Sequence, residues 1–549
     1  MRHRFKAYLC VATIVFAAGS AFAAQPCESL KALKLPDTAV ASAEPVPAGD
    51  FVQPIPAGFP PNFAAYFPAF RVPAFCRVQL TVAPAIRIEV WMPLSGWNGN
   101  FKGVGNGGFA GSISYEALGE AIRSGYAAAS TDAGHQGDGK FAFGHPELVA
   151  DFGYRGVHEM TVKGKQTVEV FYGVAPQFAY FEGCSNGGRQ AMMEVERYPE
   201  DYNGILAGAP AVNWAHLMAS GWWMDLAIWK DEESHIPTKK LAAVQRASIA
   251  ACDEIDGVKD GLIADPRNCK FDPSVLLCKG SVTDDCLTQK QVEALRKIYV
   301  GAKYADGKTV NPGRMPGVEG DWTLFAIGAG PNQEVITNLG ISYMTYFVLG
   351  DPDWDFRTSD FANDIAKIDN DQTDRSVLDA LNPDLRPFRD KGGKLIMYHG
   401  WGDDVISTLD SIDYYRTVVA ALTGVRMGAD DSKENAKWGQ ASGKLGEFFR
   451  LFVVPGMGHC QGGPGPTNFK GMDALTTWVE KKQPPDQING THLTNGAVDL
   501  TRPICPYPMA AQYSGHGSVT TASNFTCKLP KPRSTGALAN PAGSRPPGH

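Results

Sequence analysis

Gly183-Cys184-Ser185-Asn186-Gly187-Gly188 sets a serine between glycines placed two residues to either side. An alternating apolar run through Phe178, Tyr180 and Phe181 precedes it. Ala191, Met192, Val195 and Tyr198 then fall on one helical face before Pro199 ends the pattern. Strand, Gly-x-Ser-x-Gly, helix is the pattern of a nucleophile elbow, where small residues allow a turn sharp enough to lift a serine hydroxyl clear of the backbone. Chains of this length also produce the pattern by chance, so its partners decide.

Such a serine needs a base, and the base needs an acid to orient it; here the acid is expected at a later strand end and the histidine last. Lys394 to His399 reads as a strand and runs into Gly400-Trp401-Gly402-Asp403-Asp404. Asp403, third after Gly400, is the expected acid, with Asp404 as the alternative. Phe448 to Val454 reads as the next strand and ends in Pro455-Gly456-Met457-Gly458-His459-Cys460, which makes His459 the expected base. His3 and His549 lie in terminal segments. His158 sits in a predicted helix ahead of the serine, where a structural role suits it better. Cys184 adjoins Ser185 and Cys460 adjoins His459. A bridge between them would hold their Cα atoms about 5.5–6 Å apart and force nucleophile and base into one small volume; otherwise each packs or pairs elsewhere. Gly105-Asn106-Gly107-Gly108-Phe109-Ala110-Gly111 lacks the Gly-Lys-Ser/Thr of a phosphate loop. Its backbone amides suit an oxyanion hole, against a plain flexible turn.

These residues need a scaffold. Arg87 to Met92 alternates as a half-buried strand, Tyr126 to Ser130 and Ile205 to Pro210 read as buried strands, and residues 155–173 read as a helix. Strand, helix, strand throughout predicts an α/β-hydrolase fold, with a mostly parallel central sheet and helices on both faces. From about Asn213 to Asp384 the texture changes: Trp214, Trp222, Trp223, Trp229, Trp322 and Trp354 cluster, and Thr288 with Gln291 forms a capping box ahead of Val292, Leu295 and Ile298. The expected organisation is a catalytic domain of residues 24–212 and 385–527, a large inserted, mainly helical lid at 213–384, and a disordered tail rich in Pro, Gly and Ser at 528–549. Residues 24–75 read as an extended wrapping arm.

The segment 1–23 has a basic start, a short apolar run and Ala21-Phe22-Ala23, as expected of a signal peptide and an exported, periplasmic or extracellular protein. The formal net charge of −7 disfavours nucleic acid and anionic membranes as partners. Beyond Cys10, an even set of cysteines fits disulfides in an oxidising compartment, and no Cys-x-x-Cys pair suggests zinc. Asp253, Asp256 and Asp260, interleaved with Gly257 and Gly261 and bracketed by Cys252 and Cys269, offer hard oxygens for a structural Ca²⁺; the alternative is a solvated acidic loop.

Taken together, the chain resembles the tannase and feruloyl esterase family of secreted α/β-hydrolases, which also includes mono(2-hydroxyethyl) terephthalate hydrolase. The resemblance rests on Gly105 to Gly108, Ser130 to His135, His158 to Thr161, Gly183 to Gln190, Gly204 to Pro210, Gly350 to Trp354 and Met457 to Cys460. It implies a serine carboxylesterase for aromatic acids, with Ser185, Asp403 and His459 as triad beside a Cys184–Cys460 bridge. It further implies an oxyanion hole from Asn186 and Gly107 or Gly108. Calcium would be held by Asp253, Asp256 and Asp260 and by the carbonyls of Val258 and Leu262. The remaining bridges would be Cys27–Cys76, Cys252–Cys269, Cys278–Cys286 and Cys505–Cys527. No organic cofactor is implied, and the substrate would be a small aromatic ester, free or attached to plant polysaccharide. The terephthalate enzyme grips its substrate with a lid arginine and has a phenylalanine three residues after the acid. Here Gly340 to Tyr346 offers Ser342 and Thr345, and Ile406 follows Asp403, which favours a hydroxycinnamic or gallic ester. The rival readings are a tannase, a terephthalate monoester hydrolase, a peptidase on the same fold, and a non-catalytic binder of carbohydrate or aromatic ligands.

Overall fold

The computed structural model describes residues 25–55, 68–328, 335–426 and 435–530. The expected leader and residues 531–549 of the expected tail lie outside them. A nine-stranded sheet organises the chain: β1 (Thr38–Val46), β2 (Phe75–Val82), β3 (Ile86–Pro93), β4 (Phe101–Val104), β5 (Ala127–Thr131), β6 (Ala179–Cys184), β7 (Gly204–Gly208), β8 (Lys394–Gly400) and β9 (Phe449–Val454). Their spatial order is β1-β2-β3-β5-β4-β6-β7-β8-β9.

From β5 across to β9 every neighbouring pair is parallel. Helices make the crossovers: α1 (Tyr115–Arg123) between β4 and β5, α2 (Gly156–Tyr172) before β6, α3 (Asn186–Arg197) before β7 and α4 (Thr408–Thr423) before β9. The expectation of strand, helix, strand throughout fails at the N-terminal edge, where β1, β2, β3 and β5 pair antiparallel. Only Ala83 to Ala85 join β2 to β3, and a connection that short can turn back but cannot cross over. Nor is the stretch 24–75 merely a wrapping arm. Its β1 extends the sheet, and the Cys27–Cys76 disulfide ties the turn ahead of β1 to the start of β2.

Strand alternation then loads both faces. Ala179, Phe181, Ile205, Ala207, Leu395 and Met397 point to the core shared with Val168 and Phe171 of α2, Met192 and Val195 of α3, and Ile412 and Val419 of α4. Tyr180, Leu206 and Ile396, one residue out of phase, pack instead with Leu475, Trp478 and Val479 of the helix Gly471–Lys481.

The stretch between β7 and β8 builds a separate core. Trp214, Trp222 and Ile228 of the helix Trp214–Trp229 pack with Leu241, Val244, Val292, Leu295, Ile298 and Trp322. The capping box forms as expected, with Thr288 and Gln291 bonding reciprocally. This core reaches onto the carboxyl ends of the sheet strands through Phe109, Ala133, Val405 and Ile406. At the C-terminus Ala510–Tyr513 pairs with Phe525–Lys528 beside the Cys505–Cys527 disulfide, so the strand includes Lys528, the first residue of the expected tail. Among the described residues no helix is long and apolar enough to cross a membrane.

Candidate active site

Ser185 stands between the last residue of β6 and the first of α3, with φ 66° and ψ −123°. A side chain other than glycine rarely holds that left-handed backbone, and it persists only where the surroundings fix it. They do so here. The Ser185 amide donates to the Gly208 carbonyl at 3.0 Å, and the Ser185 carbonyl accepts from the Arg189 and Ala211 amides. A Cβ on Gly183 would stand 2.6 Å from the Gly187 backbone, and one on Gly188 would stand 2.3 Å from the Gly208 oxygen. The flanking glycines are therefore a steric requirement of the turn.

The glycine-rich loop packs directly on this elbow, since a Cβ on Gly105 would lie 2.7 Å from Gly187 Cα. Gln190 on α3 fastens it: its Oε1 accepts from the Asn106 amide at 2.9 Å and its Nε2 donates to Asn106 Oδ1 at 3.0 Å. Asn106 Nδ2 in turn donates to the carbonyls of Ser112 and Thr131. With the Asn106 amide committed, the loop's remaining candidate oxyanion donors are the amides of Gly107 and Gly108, and on α3 that of Asn186, the first residue of the helix.

Asp403 is almost completely buried, yet four donors converge on its carboxylate. The Val405 and Ile406 amides donate to Oδ1 at 2.9 and 2.8 Å. His459 Nδ1 lies 2.8 Å from Oδ2, and His399 Nε2 lies 3.2 Å from the same oxygen. Burial alone would raise this acid; the two imidazoles outweigh it and hold Asp403 far below the usual carboxylate range. Asp404, the alternative, makes no such contact. Its Oδ2 is buried without a protein hydrogen-bond partner, and burial together with the Asp403 charge pushes it up to about 7. Between the two aspartates, the geometry places Asp403 on the histidine.

With Nδ1 engaged, the other nitrogen of His459 is the one that can accept a proton. Burial would make the ring less basic, but the Asp403 carboxylate raises it above its ordinary value. The Cys184–Cys460 disulfide, Cα to Cα 6.0 Å, joins the neighbours of Ser185 and His459 directly. Two flanking peptide steps then keep the serine and histidine Cα atoms within about 14 Å of each other at most, wherever their loops would otherwise go. The other expected bridges, Cys27–Cys76, Cys252–Cys269, Cys278–Cys286 and Cys505–Cys527, are also formed.

His399 escaped the sequence reading because it lies inside a buried strand rather than on a glycine-rich loop. Ser411 Oγ sits 2.8 Å from its Nδ1, and the Ile406 carbonyl accepts from Nε2 at 3.0 Å. That carbonyl requires a proton on Nε2, which therefore also serves Asp403. Arg314, likewise missed, is buried and donates to the Asp404 and Val405 carbonyls, fixing the loop that carries the acid.

The acidic loop begins as one turn at Asp253–Asp256 and then opens at Gly257 and Gly261, both with positive φ. Its carboxylates turn inward. Asp253 accepts from the Asp260 and Gly261 amides, Asp256 from the Val258 amide, and Asp260 from the Leu262 amide while pairing with Arg502 at 2.7 Å. Cys252–Cys269 closes the loop. Among the described residues, the one group of at least three His, Cys, Asp or Glu whose ligand atoms all lie within 4.8 Å of one another is elsewhere, at His158, Glu194 and Asp201.

The family model for tannase and feruloyl esterase matches residues 70–528. An uncharacterized esterase of Xanthomonas campestris pv. campestris is 37% identical over 566 residues, covering 96% of this chain and 95% of the relative. Mono(2-hydroxyethyl) terephthalate hydrolase of Piscinibacter sakaiensis is 32% identical, over 84% of this chain and 86% of that protein. Among solved structures, feruloyl esterase B from Aspergillus oryzae is 30% identical and superposes with a TM-score of 0.79 over 91% of this chain and 99% of that one.

Proposed function

Since the chain belongs to the tannase and feruloyl esterase family and is a carboxylic ester hydrolase, we propose that Ser185 is its nucleophile, His459 its base and Asp403 the acid that orients the base. Ser185 Oγ attacks the ester carbonyl while His459 takes the hydroxyl proton, then returns it to the departing alcohol. The same imidazole next deprotonates a water that cleaves the acyl-enzyme and frees the acid. The Asn186 amide and that of Gly107 or Gly108 receive the oxyanion. The observation that carries the reading is the 2.8 Å contact between His459 Nδ1 and Asp403 Oδ2, beside a disulfide that begins one residue from Ser185.

Residues 213–384 act as a lid holding the acid half of the substrate, and that acid is aromatic and bears no second carboxylate near the lid. Leu339 lies over Gly108, and Phe347 stacks on Phe109 with ring centroids 5.5 Å apart. Residues 329 to 356 contain neither lysine nor arginine. A free carboxylate brought against such walls would lose hydration without gaining a cation. We therefore expect kcat/KM for methyl ferulate or methyl gallate to exceed that for mono(2-hydroxyethyl) terephthalate by at least about 10-fold, the effect of one unmade charge contact. A preference for the terephthalate ester in steady-state assays would overturn this assignment. The disulfides suit an exported enzyme whose substrates lie outside the cytoplasm, free or on plant polysaccharide.

Asp253, Asp256 and Asp260, with the carbonyls of Val258 and Leu262, would hold Ca²⁺. Three carboxylates gathered in eight residues, one of them paired with Arg502 at 2.7 Å, suit a hard dication. When bound, the ion neutralises the loop. Chelation should lower the melting temperature by several degrees, with recovery on adding Ca²⁺ but not Mg²⁺; calorimetry showing no change on chelation would remove calcium from the account.

A further inference from the structure

Far along α3 from Ser185, three side chains from separate elements meet: His158 of α2, Glu194 of α3 and Asp201, which precedes β7. His158 Nδ1 is 2.7 Å from Asp201 Oδ2. Glu194 is 1% exposed, and neither of its carboxylate oxygens has a hydrogen-bond partner. The polar groups nearby are already committed: the Lys165 ammonium donates to the Asp201 carbonyl, and the Tyr202 hydroxyl bonds Thr161. Two carboxylates thus share a largely buried space with one imidazole, and the Lys165 ammonium beside them bonds the Asp201 carbonyl rather than Glu194. Such an arrangement suits a cation held directly between the carboxylates.

We propose that His158, Glu194 and Asp201 form a divalent transition-metal site, with Zn²⁺ as the matching ion. One imidazole nitrogen and two carboxylate oxygens, with a water as fourth ligand, make a donor set that zinc takes in tetrahedral form and that calcium, which avoids nitrogen, does not. The supports around the ligands fit this use. The His158 ring stacks on Tyr198 with centroids 3.8 Å apart and planes 10° apart, which fixes the direction of Nδ1. The His158 side chain is 30% exposed, so the ion has an entry path and the water a place. The site would pin α2 and the far end of α3 to the turn that feeds β7, and its role is structural. This assignment is independent of the ester chemistry.

The test uses the whole chain, stripped with a chelator and returned to excess Ca²⁺ so that hard-oxygen sites are filled. Calorimetric titration with Zn²⁺ at neutral pH should show one tight equivalent per chain and a rise in melting temperature. Glu194→Gln should weaken that equivalent by about 100-fold or more, and His158→Gln, at a partly exposed position, should do the same with its fold verified by circular dichroism. Co²⁺ in place of Zn²⁺ should give the visible absorption of a tetrahedral site in the wild type and not in either variant. Absence of a stoichiometric equivalent in the wild type, or equal affinity in wild type and both variants, overturns the proposal. So would a Co²⁺ spectrum unaltered by the substitutions.

Discussion

Ser185→Ala is expected to lower kcat for an aryl ester by about 10⁴-fold or more while leaving the melting temperature within a degree or two of the wild type. The asymmetry follows from the elbow. Its backbone is held by the Gly208, Arg189 and Ala211 hydrogen bonds and by the contacts of Gly183 and Gly188, none of which uses the serine side chain. Alanine meets the same φ of 66° as serine does, so the strained turn is neither relieved nor worsened. A large loss of stability would mean that the hydroxyl has a structural role here, and retained turnover would remove Ser185 from the chemistry. His459→Ala should fall to a similar floor, because residues of one catalytic unit are not additive. The pH profile supplies a second readout. The base works only when neutral, and the Asp403 carboxylate raises its proton affinity, so kcat/KM should fall with decreasing pH through a value above the ordinary 6.5 of an imidazole. An acid limb lying below 6.5 would contradict the His459–Asp403 pairing as the controlling one.

Much of this arrangement was written in short-range pattern. Ser185, Asp403 and His459 each follow a strand and sit among glycines, because a reactive side chain at a strand end needs a turn that bulky residues cannot make. The faces of the sheet were legible for the same reason: Ala179, Tyr180 and Phe181 can only alternate. What stayed hidden depends on distant partners. The place of Asp403 third after Gly400 points to the acid, but what holds it there comes from elsewhere: both aspartates are buried, and the Val405 and Ile406 amides and the Arg314 fork set the loop so that Asp403 meets His459. His399 lies four residues before Asp403, which in a helix would have suggested contact, but here a strand end and a turn intervene. The helix around His158 suggests only a structural residue, because its neighbours Glu194 and Asp201 arrive from 36 and 43 residues away in the chain. Antiparallel pairing at the N-terminal edge follows from the three residues between β2 and β3, too few for a crossover, a signal that the Pro- and Ala-rich composition of 24–75 does not carry.

Replacing both Cys184 and Cys460 by serine should destabilise the enzyme by about 2–5 kcal/mol and also reduce kcat by roughly 10- to 100-fold at temperatures where the variant remains folded. The bond closes 276 residues, yet loop entropy grows only logarithmically, so length alone gives it a modest advantage over shorter loops. Its position is what sets it apart. One sulfur ends β6 and the other lies in the loop after β9, and each adjoins a residue proposed to move a proton. Both ends are also conformationally demanding, with Ser185 at φ 66° and Cys460 at φ 63°. Without the link, each loop can relax its own backbone at the expense of the distance between nucleophile and base, and a displacement of about 1 Å at a reacting pair costs on the order of 10²-fold in rate. Cys505–Cys527 provides the control. It closes 22 residues and adjoins neither Ser185 nor His459 in the chain, so its removal should lower the melting temperature with a smaller change in kcat. Equal kcat in the two double variants, measured well below both melting temperatures, would show that the Cys184–Cys460 bond stabilises the fold without positioning the catalytic pair.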